Sequence, residues 1–246
     1  MLEIKNIIKK YNEKTVLNNV SLTLTDGVYG LLGPNGAGKS TMMNIITGNL
    51  PADNGNVLWN NADICKLKDG YRSLLGYAPQ QQGLYDTFTG KRFLSYMGTL
   101  KGIPKKELAA EITRCTEYVN LSNKIDLPIN TYSGGMKQRL LIAQAMMGDP
   151  KLIIMDEPTA GLDPKERVRI RNKIKDLSDG RIILIATHVV SDIQSIAKEV
   201  IILKEGEIIA KDSVEALCQQ FDSNDLEDVY MKLFGEEEND AFIHLL

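Results

Sequence analysis

The chain has 246 residues, 43% hydrophobic and 25% charged, which suits a soluble globular protein with one large core or two small ones. Its formal net charge of −3 offers no footprint for nucleic acid, and no apolar run approaches the roughly 20 residues of a membrane span. Cys65, Cys115 and Cys218 are isolated, with no C-x-x-C pair, so neither a disulfide framework nor a zinc site is suggested. The N-terminus, MLEIKNIIKK, lacks the order of a signal peptide, and a cytosolic location is expected.

In chain order, the first thirty residues alternate apolar and polar, as half-buried antiparallel strands do. VYGLLG then ends in a glycine-rich loop, and MMNIITG continues as a helix that stops at Gly48. After strand-like NVLWN and RSLLGYAP, the segment from about residue 83 turns helical, and Pro104 sets the start of its second helix. Another helix follows YSGG and is closed by Gly148 and Pro150. From Lys151 the pattern is strand, helix, strand, helix: KLIIMDE, PKERVRIRNKIKDL, RIILIAT and VVSDIQSIAK. VIILKEG and EIIAKD follow, then an amphipathic stretch with Leu226, Val229, Tyr230 and Leu233, and an acidic EEEND expected to fray.

Continuous apolar strands such as LIIM and RIILIA belong to a parallel sheet covered on both faces. The expected fold is α/β, with a mainly parallel core sheet, an antiparallel N-terminal β layer and a helical insert. The core comprises residues 1–82 and 149–235, the insert about 83–148, and a tail 236–246. The six basic residues between 164 and 175 recur at steps of two. On a helix such steps rotate by about 200°, which spreads the charges over a solvated face opposite Ile170, Ile174 and Leu177.

The chemistry begins at GPNGAGKST, residues 33–41, which fits G-x-x-x-x-G-K-[ST] between a strand and a helix. Its glycines let backbone N–H groups approach phosphate oxygens, and the helix beginning near Gly38 adds its positive end. Lys39 would reach the β- and γ-phosphates, and the Ser40 hydroxyl would bind Mg2+. A plain glycine turn does not account for the lysine.

KLIIMDEP places Asp156 and Glu157 at the carboxyl end of an apolar strand, where ligands of such sheets sit. Asp156 can face the phosphate loop and hold Mg2+ through water, and Glu157 can polarise a water for in-line attack. His188 follows RIILIAT directly, where an imidazole can bond a γ-phosphate oxygen. TYSGGMKQRL raises a separate question. Ser133 is a favoured N-cap, yet Gly134 and Gly135 weaken the helix they open, which capping alone does not explain.

With GPNGAGKST, YSGGMKQRL, LIIMDEPTAGLD and ATH in this order, the chain resembles the nucleotide-binding subunit of an ATP-binding cassette (ABC) transporter, over essentially its whole length. The resemblance implies that residues 33–41 (Gly33, Pro34, Asn35, Gly36, Ala37, Gly38, Lys39, Ser40 and Thr41) form the Walker A loop for ATP. Asp156 closes Walker B, Glu157 is the catalytic glutamate and His188 the switch histidine. Tyr11 matches the aromatic that stacks on adenine. Gln80 matches the Q-loop glutamine that touches Mg2+ and the attacking water, with Gln81 and Gln82 as neighbouring registers. Ser133, Gly134 and Gly135 match the signature motif and Asp163 the D-loop, both serving the nucleotide of a second subunit. The signature reads YSGGM where many members have LSGGQ, a change that leaves its backbone amides in place.

The implied function is ATP hydrolysis in a head-to-tail dimer, the same subunit twice or two related ones, with ATP as the dimerising ligand. A multi-span membrane permease is the implied partner, received around Leu84 and Tyr85. Residues 76–97 and the LEDVYMKLFG segment resemble exporter-type subunits, and the short C-terminus agrees. The implied location is cytoplasmic, peripheral on the inner face of the membrane through the permease, with no nucleic-acid partner. The alternative is a soluble ATPase of the same superfamily acting on another scaffold, such as iron–sulfur cluster assembly.

Overall fold

The computed structural model describes residues 1–80 and 83–243, those from 236 onward by backbone alone. Strand β1 (Leu2–Tyr11) folds back on β2 (Lys14–Leu24), and β3 (Gly27–Leu32) leads through the glycine-rich loop into α1 (Lys39–Ile46). Then come β4 (Asn54–Trp59), β5 (Ala62–Asp63), the short α2 (Ile64–Leu67) and α3 (Asp69–Leu74), and β6 (Leu75–Ala78). Three helices follow: α4 (Gly90–Leu100), α5 (Lys105–Tyr118) and α6 (Gly134–Met146). The remainder is β7 (Leu152–Asp156), α7 (Pro164–Asp176), β8 (Ile182–Ala186), α8 (Ser191–Gln194), β9 (Glu199–Lys204), β10 (Glu207–Asp212), α9 (Val214–Gln220) and α10 (Leu226–Ile243).

Two sheets result. The antiparallel one has the order β2-β1-β4-β5, and the core sheet β10-β9-β3-β8-β7-β6. Every pairing from β9 through β6 is parallel, and β10 alone runs against its neighbour β9. The expected antiparallel layer and mainly parallel core are both present. All five residues of β7 and of β8 are buried, as strands covered on two faces must be.

Alternate residues of those strands face different cores. Leu152, Ile154, Ile182 and Leu184 pack with Met42, Met43, Ile45 and Ile46 of α1 beneath the antiparallel sheet. Ile153, Met155, Ile183 and Ile185 pack with Phe93, Ile112, Leu140 and Ile170 of the helices on the opposite face. Each side chain here removes an amount of apolar surface worth about 1.5–3 kcal/mol of transfer free energy. The period-2 geometry of a strand therefore glues three layers together.

Helix α6 is fastened to the core sheet by a close approach. A Cβ on Gly76 would lie 2.0 Å from the Ala145 carbonyl oxygen, so only glycine lets β6 and α6 come this near. On α7 the stripe of Ile170, Ile174 and Leu177 is buried, as the pattern requires. Two expectations change. The helix expected over VVSDIQSIAK is only the single turn α8, because the Lys198 N–H is committed to the Val28 carbonyl as the chain re-enters the sheet. The backbone of α10 stays helical to Ile243, through the EEEND run expected to fray, while Leu226, Val229 and Phe234 anchor its first part.

Candidate active site

The strand order brings four strand ends together. β3, β8, β7 and β6 are successive parallel neighbours, so their carboxyl ends share one edge of the sheet. That edge carries the glycine-rich loop after β3, Thr187 and His188 after β8, Asp156 and Glu157 at the end of β7, and Gln80 after β6. A cavity of about 380 Å3 lies there, lined by Asn35, Gly36, Gly38, Lys39, Ser40, Thr41, Gln80, Asp156, Glu157 and His188. Tyr11, Lys14 and Val16 close it from the antiparallel sheet. Segments more than 170 residues apart in sequence (Tyr11 and His188) thus line one space.

The loop is shaped by its glycines. Gly38, at the N-cap of α1, has φ 107°, and a Cβ there would meet Leu17 and the Val16 carbonyl. Gly33, Pro34 and Ala37 form the rear of the loop: Lys39 Nζ donates to the carbonyls of Gly33 at 2.6 Å and Pro34 at 3.0 Å, and the Ala37 N–H to Pro34 at 3.2 Å. Burial lowers the pKa of Lys39, opposed by the charges of Glu157 and Asp156. Burial likewise pushes Asp156 up to about 6, helped by Glu157 and opposed by Lys39. Both shifts come chiefly from withdrawing charge from water, the environment in which a phosphate or cation gains most from these groups.

Glu157 is held more tightly than its position in a turn predicts. Its φ is 51°, a region sparsely occupied by residues with a Cβ, and its side chain is 7% exposed. Oε2 accepts from Thr187 Oγ1 at 2.9 Å, while Oε1 accepts from the His188 N–H at 3.0 Å and lies 2.7 Å from His188 Nδ1. His188 therefore faces the carboxylate with Nδ1 and leaves Nε2 for a ligand. Behind Glu157, buried Thr159 hydrogen-bonds buried Asp192. An outlier backbone over-determined by its surroundings is a mark of a functional residue.

The second group of expected residues lies elsewhere. Ser133 is the N-cap of α6, its Oγ accepting from the Met136 N–H at 3.2 Å, and a Cβ on Gly134 would meet nothing within 4 Å. Asp163 caps α7, its Oδ1 accepting from the Glu166 N–H at 2.9 Å. A Cβ on Gly135 would lie 3.0 Å from Leu162, so these two segments adjoin one another, outside the cavity.

Four residues of the site went unassigned in the sequence: Lys14, Val16, Thr187 and Gln138. Thr187 sits inside the quoted ATH, and Gln138 inside YSGGMKQRL, where it falls on the side of the helix away from the Met136, Leu140, Ala143 and Met147 stripe, so periodicity does not point to it. Lys14 and Val16 carry no local signal. The neighbouring registers Gln81 and Gln82 lie outside the described residues.

Two further hollows accompany the site. A larger one, about 800 Å3, lies between the α4–α5 turn and the end of α6. Its charged groups already serve the α6 terminus: Lys101 donates to Met147 O, Arg114 to Met146 O, and Glu111 accepts from the Gly148 N–H. Volume is a poorer guide here than the convergence of polar groups in the smaller cavity. The other, about 350 Å3, borders the Gln80 loop and is lined by Tyr77, Pro79, Tyr85, Phe93, Tyr96 and Leu100 among others. Tyr85, Tyr96 and Leu100 are exposed, unlike ordinary core residues. Among the described residues no helix is long and apolar enough to cross a membrane, and no cluster of His, Cys, Asp and Glu has the makings of a metal site.

Comparison with known proteins now decides the family. Residues 17–160 match the family model described as "ABC transporter". The chain belongs to the ABC transporter family. It is 35% identical to the linearmycin resistance ATP-binding protein LnrL of Bacillus subtilis (strain 168), over 99% of this chain and 78% of the relative. It is 34% identical to the Nod factor export ATP-binding protein I of Sinorhizobium fredii (strain NBRC 101917 / NGR234), over 93% of this chain and 67% of that one. A dimeric ATP-binding cassette solved in a post-hydrolysis state with ADP and Pi superposes with a TM-score of 0.79 at 28% identity, covering 87% of this chain and 98% of the other. As an ATP-binding cassette of the ABC family, this chain is an ATP hydrolase.

Proposed function

We propose that the chain is the motor subunit of a membrane exporter and works as a head-to-tail dimer with a second ABC ATPase subunit, identical or related. The observation that carries this reading is the split of the motif set. One cavity gathers every group needed for one nucleotide, while Ser133, Gly134, Gly135 and Asp163 form a separate face with an open helix N-terminus. That face suits the γ-phosphate of ATP held by the partner. ATP bridging two subunits stabilises the closed dimer, and loss of the γ-phosphate removes the bridge.

Within the cavity, Tyr11 would stack on adenine, and the free backbone N–H groups of the glycine-rich loop would surround the phosphates. Lys39 exchanges its carbonyl partners for phosphate oxygens. The hydroxyl of Ser40, the amide of Gln80 and the carboxylate of Asp156 are a hard oxygen set fitting Mg2+, which would neutralise charge between the β- and γ-phosphates. Glu157, whose Oε2 keeps a lone pair beside the Thr187 hydroxyl, takes a proton from a water as that water attacks the γ-phosphorus and ADP leaves. Thr187 and His188 keep the carboxylate aimed, and His188 Nε2 can meet the γ-phosphate.

The permease partner would dock in the aromatic hollow beside the Gln80 loop. The chain would then sit at the cytoplasmic face of the membrane, held there by that partner. Export is supported by the relatives, one of them an export protein by name. Affinity capture from detergent-solubilised membranes tests the assignment: co-purification of a multi-span membrane protein is expected, and its loss on Tyr85→Glu would locate the contact. Recovery of soluble partners alone would overturn the transporter role in favour of a scaffold such as iron–sulfur cluster assembly.

A further inference from the structure

Helix α6 touches both halves of the proposed chemistry. Its N-terminus carries Ser133, Gly134 and Gly135, and two of its glutamines turn inward. Gln138, 2% exposed, donates from Nε2 to the backbone carbonyl of Glu157 at 3.3 Å. Farther along, Gln144 Nε2 donates at 3.4 Å to the carbonyl of Tyr77, on the strand that leads to Gln80.

The Glu157 peptide is where such a bond matters. With φ at 51°, its backbone is maintained by its partners: its N–H is bound to Ala186 O at 2.9 Å, and its carbonyl also receives the Ala160 N–H at 3.1 Å. Its other partners come from its own loop and from the end of β8, and Gln138 brings α6 into the set. Gln138 stands five residues beyond Ser133, about 7.5 Å along a stiff helix, so a displacement of the N-terminus reaches it almost undiminished. At 3.3 Å the bond lies just beyond the usual range, and a shift of a few tenths of an ångström tightens or breaks it.

We infer that Gln138 is a positioning residue for Glu157, tying the aim of a subunit's general base to the seating of that subunit's own signature motif. A phosphate engaged by Ser133, Gly134 and Gly135, belonging to the partner's ATP, then also sets the hydrolytic geometry at this subunit's ATP. The coupling between the two sites of the dimer runs through one helix and one buried amide. It rests on the reading of Glu157 as the base and of the signature face as a site for the partner's nucleotide.

The test compares Gln138→Met and Gln138→Glu with Glu157→Gln in the full chain, measuring kcat, KM for ATP, equilibrium ATP binding and melting temperature. Methionine keeps the volume and removes the donor, and the Glu157 carbonyl keeps the Ala160 N–H. Glutamate keeps the shape and puts an acceptor in the donor's place. The expected result is a kcat lower by about ten- to a hundredfold at unchanged KM, binding and melting temperature. Wild-type kcat in both variants overturns the inference, and so does a loss of ATP binding or melting temperature in parallel with kcat, which would mean Gln138 only packs. Inactive Glu157→Gln beside fully active Gln138 variants removes the inference alone. Glu157→Gln hydrolysing at the wild-type rate removes the underlying reading and the inference with it.

Discussion

The cavity at the strand ends and the face at the start of α6 use the same device, glycine-exposed backbone at a helix N-terminus, in opposite states of completion. At the cavity, Lys39, Gln80, Asp156 and Glu157 converge from three loops, and burial lowers the Lys39 pKa and raises that of Asp156. At the signature face, Ser133 caps its own helix and space stands open above Gly134. One site is built by a single chain, and the other, on the proposed reading, is half of a site. The contrast teaches that a glycine in a helix start can be kept for an absent neighbour as well as for a turn.

The sharpest way to break the comparison is at Glu157. Glu157→Gln keeps the side chain's shape but removes the base, and hydrolysis should fall by about 10²- to 10⁴-fold while ATP binding persists and a dimer accumulates, read by turnover and light scattering. Undiminished turnover would remove Glu157 from its role. Next comes the close contact that fastens α6 to the core sheet. Gly76→Ala drives a Cβ into the Ala145 carbonyl at 2.0 Å, and chemical denaturation should show a loss of about 1–3 kcal/mol.

Gly134→Ala sharpens the comparison in the opposite direction. Its Cβ meets nothing in this chain, and alanine favours a helix over glycine by up to ~1 kcal/mol, so melting temperature should hold or rise. ATP-driven dimerisation should nevertheless weaken, because the methyl group occupies the space offered to the partner's phosphate. Dimerisation equal to wild type would mean the face is only a cap.

The smallest effect is expected far from both sites. Lys151 and then Arg181 hold the Asp149 carboxyl down at about 2, below its ordinary 3.8. A depressed acid contributes stability above about pH 4 that is lost as the pH falls towards 2. Asp149→Asn, which tolerates the same positive φ, should cost well under ~1 kcal/mol because the pair is largely solvated. The difference in melting temperature from wild type should narrow as the pH is lowered from 7 towards 3.

Much of the site was legible because its groups sit at the ends of strands that announce themselves. LIIMD and IILIA are apolar throughout, so Asp156 and His188 stand out at the points where those runs stop. The loop at 33–41 is equally local: its glycines and lysine follow one another in the order the phosphate requires. Thr187 was hidden because a polar residue closing an apolar run looks like a packing residue until its partner is known, and Gln138 because between Lys137 and Arg139 it reads as part of a solvated face. The VVSDIQSIAK segment had a helical pattern, but the pull of the sheet on Lys198 cut it to a single turn.

By itself, then, the sequence determined the layer architecture, the phosphate loop and the residues at the strand ends, because those depend on period-2 and period-3.6 patterning and on motif order within a few residues. Only the tertiary structure decided that Tyr11, Gln80 and His188 share one cavity, that Glu157 is gripped through Thr187 and His188, and that the signature face stands apart from it. Those facts depend on which strands become neighbours and how closely α6 lies against β6. Such contacts join residues far apart in the chain, and no local pattern encodes them.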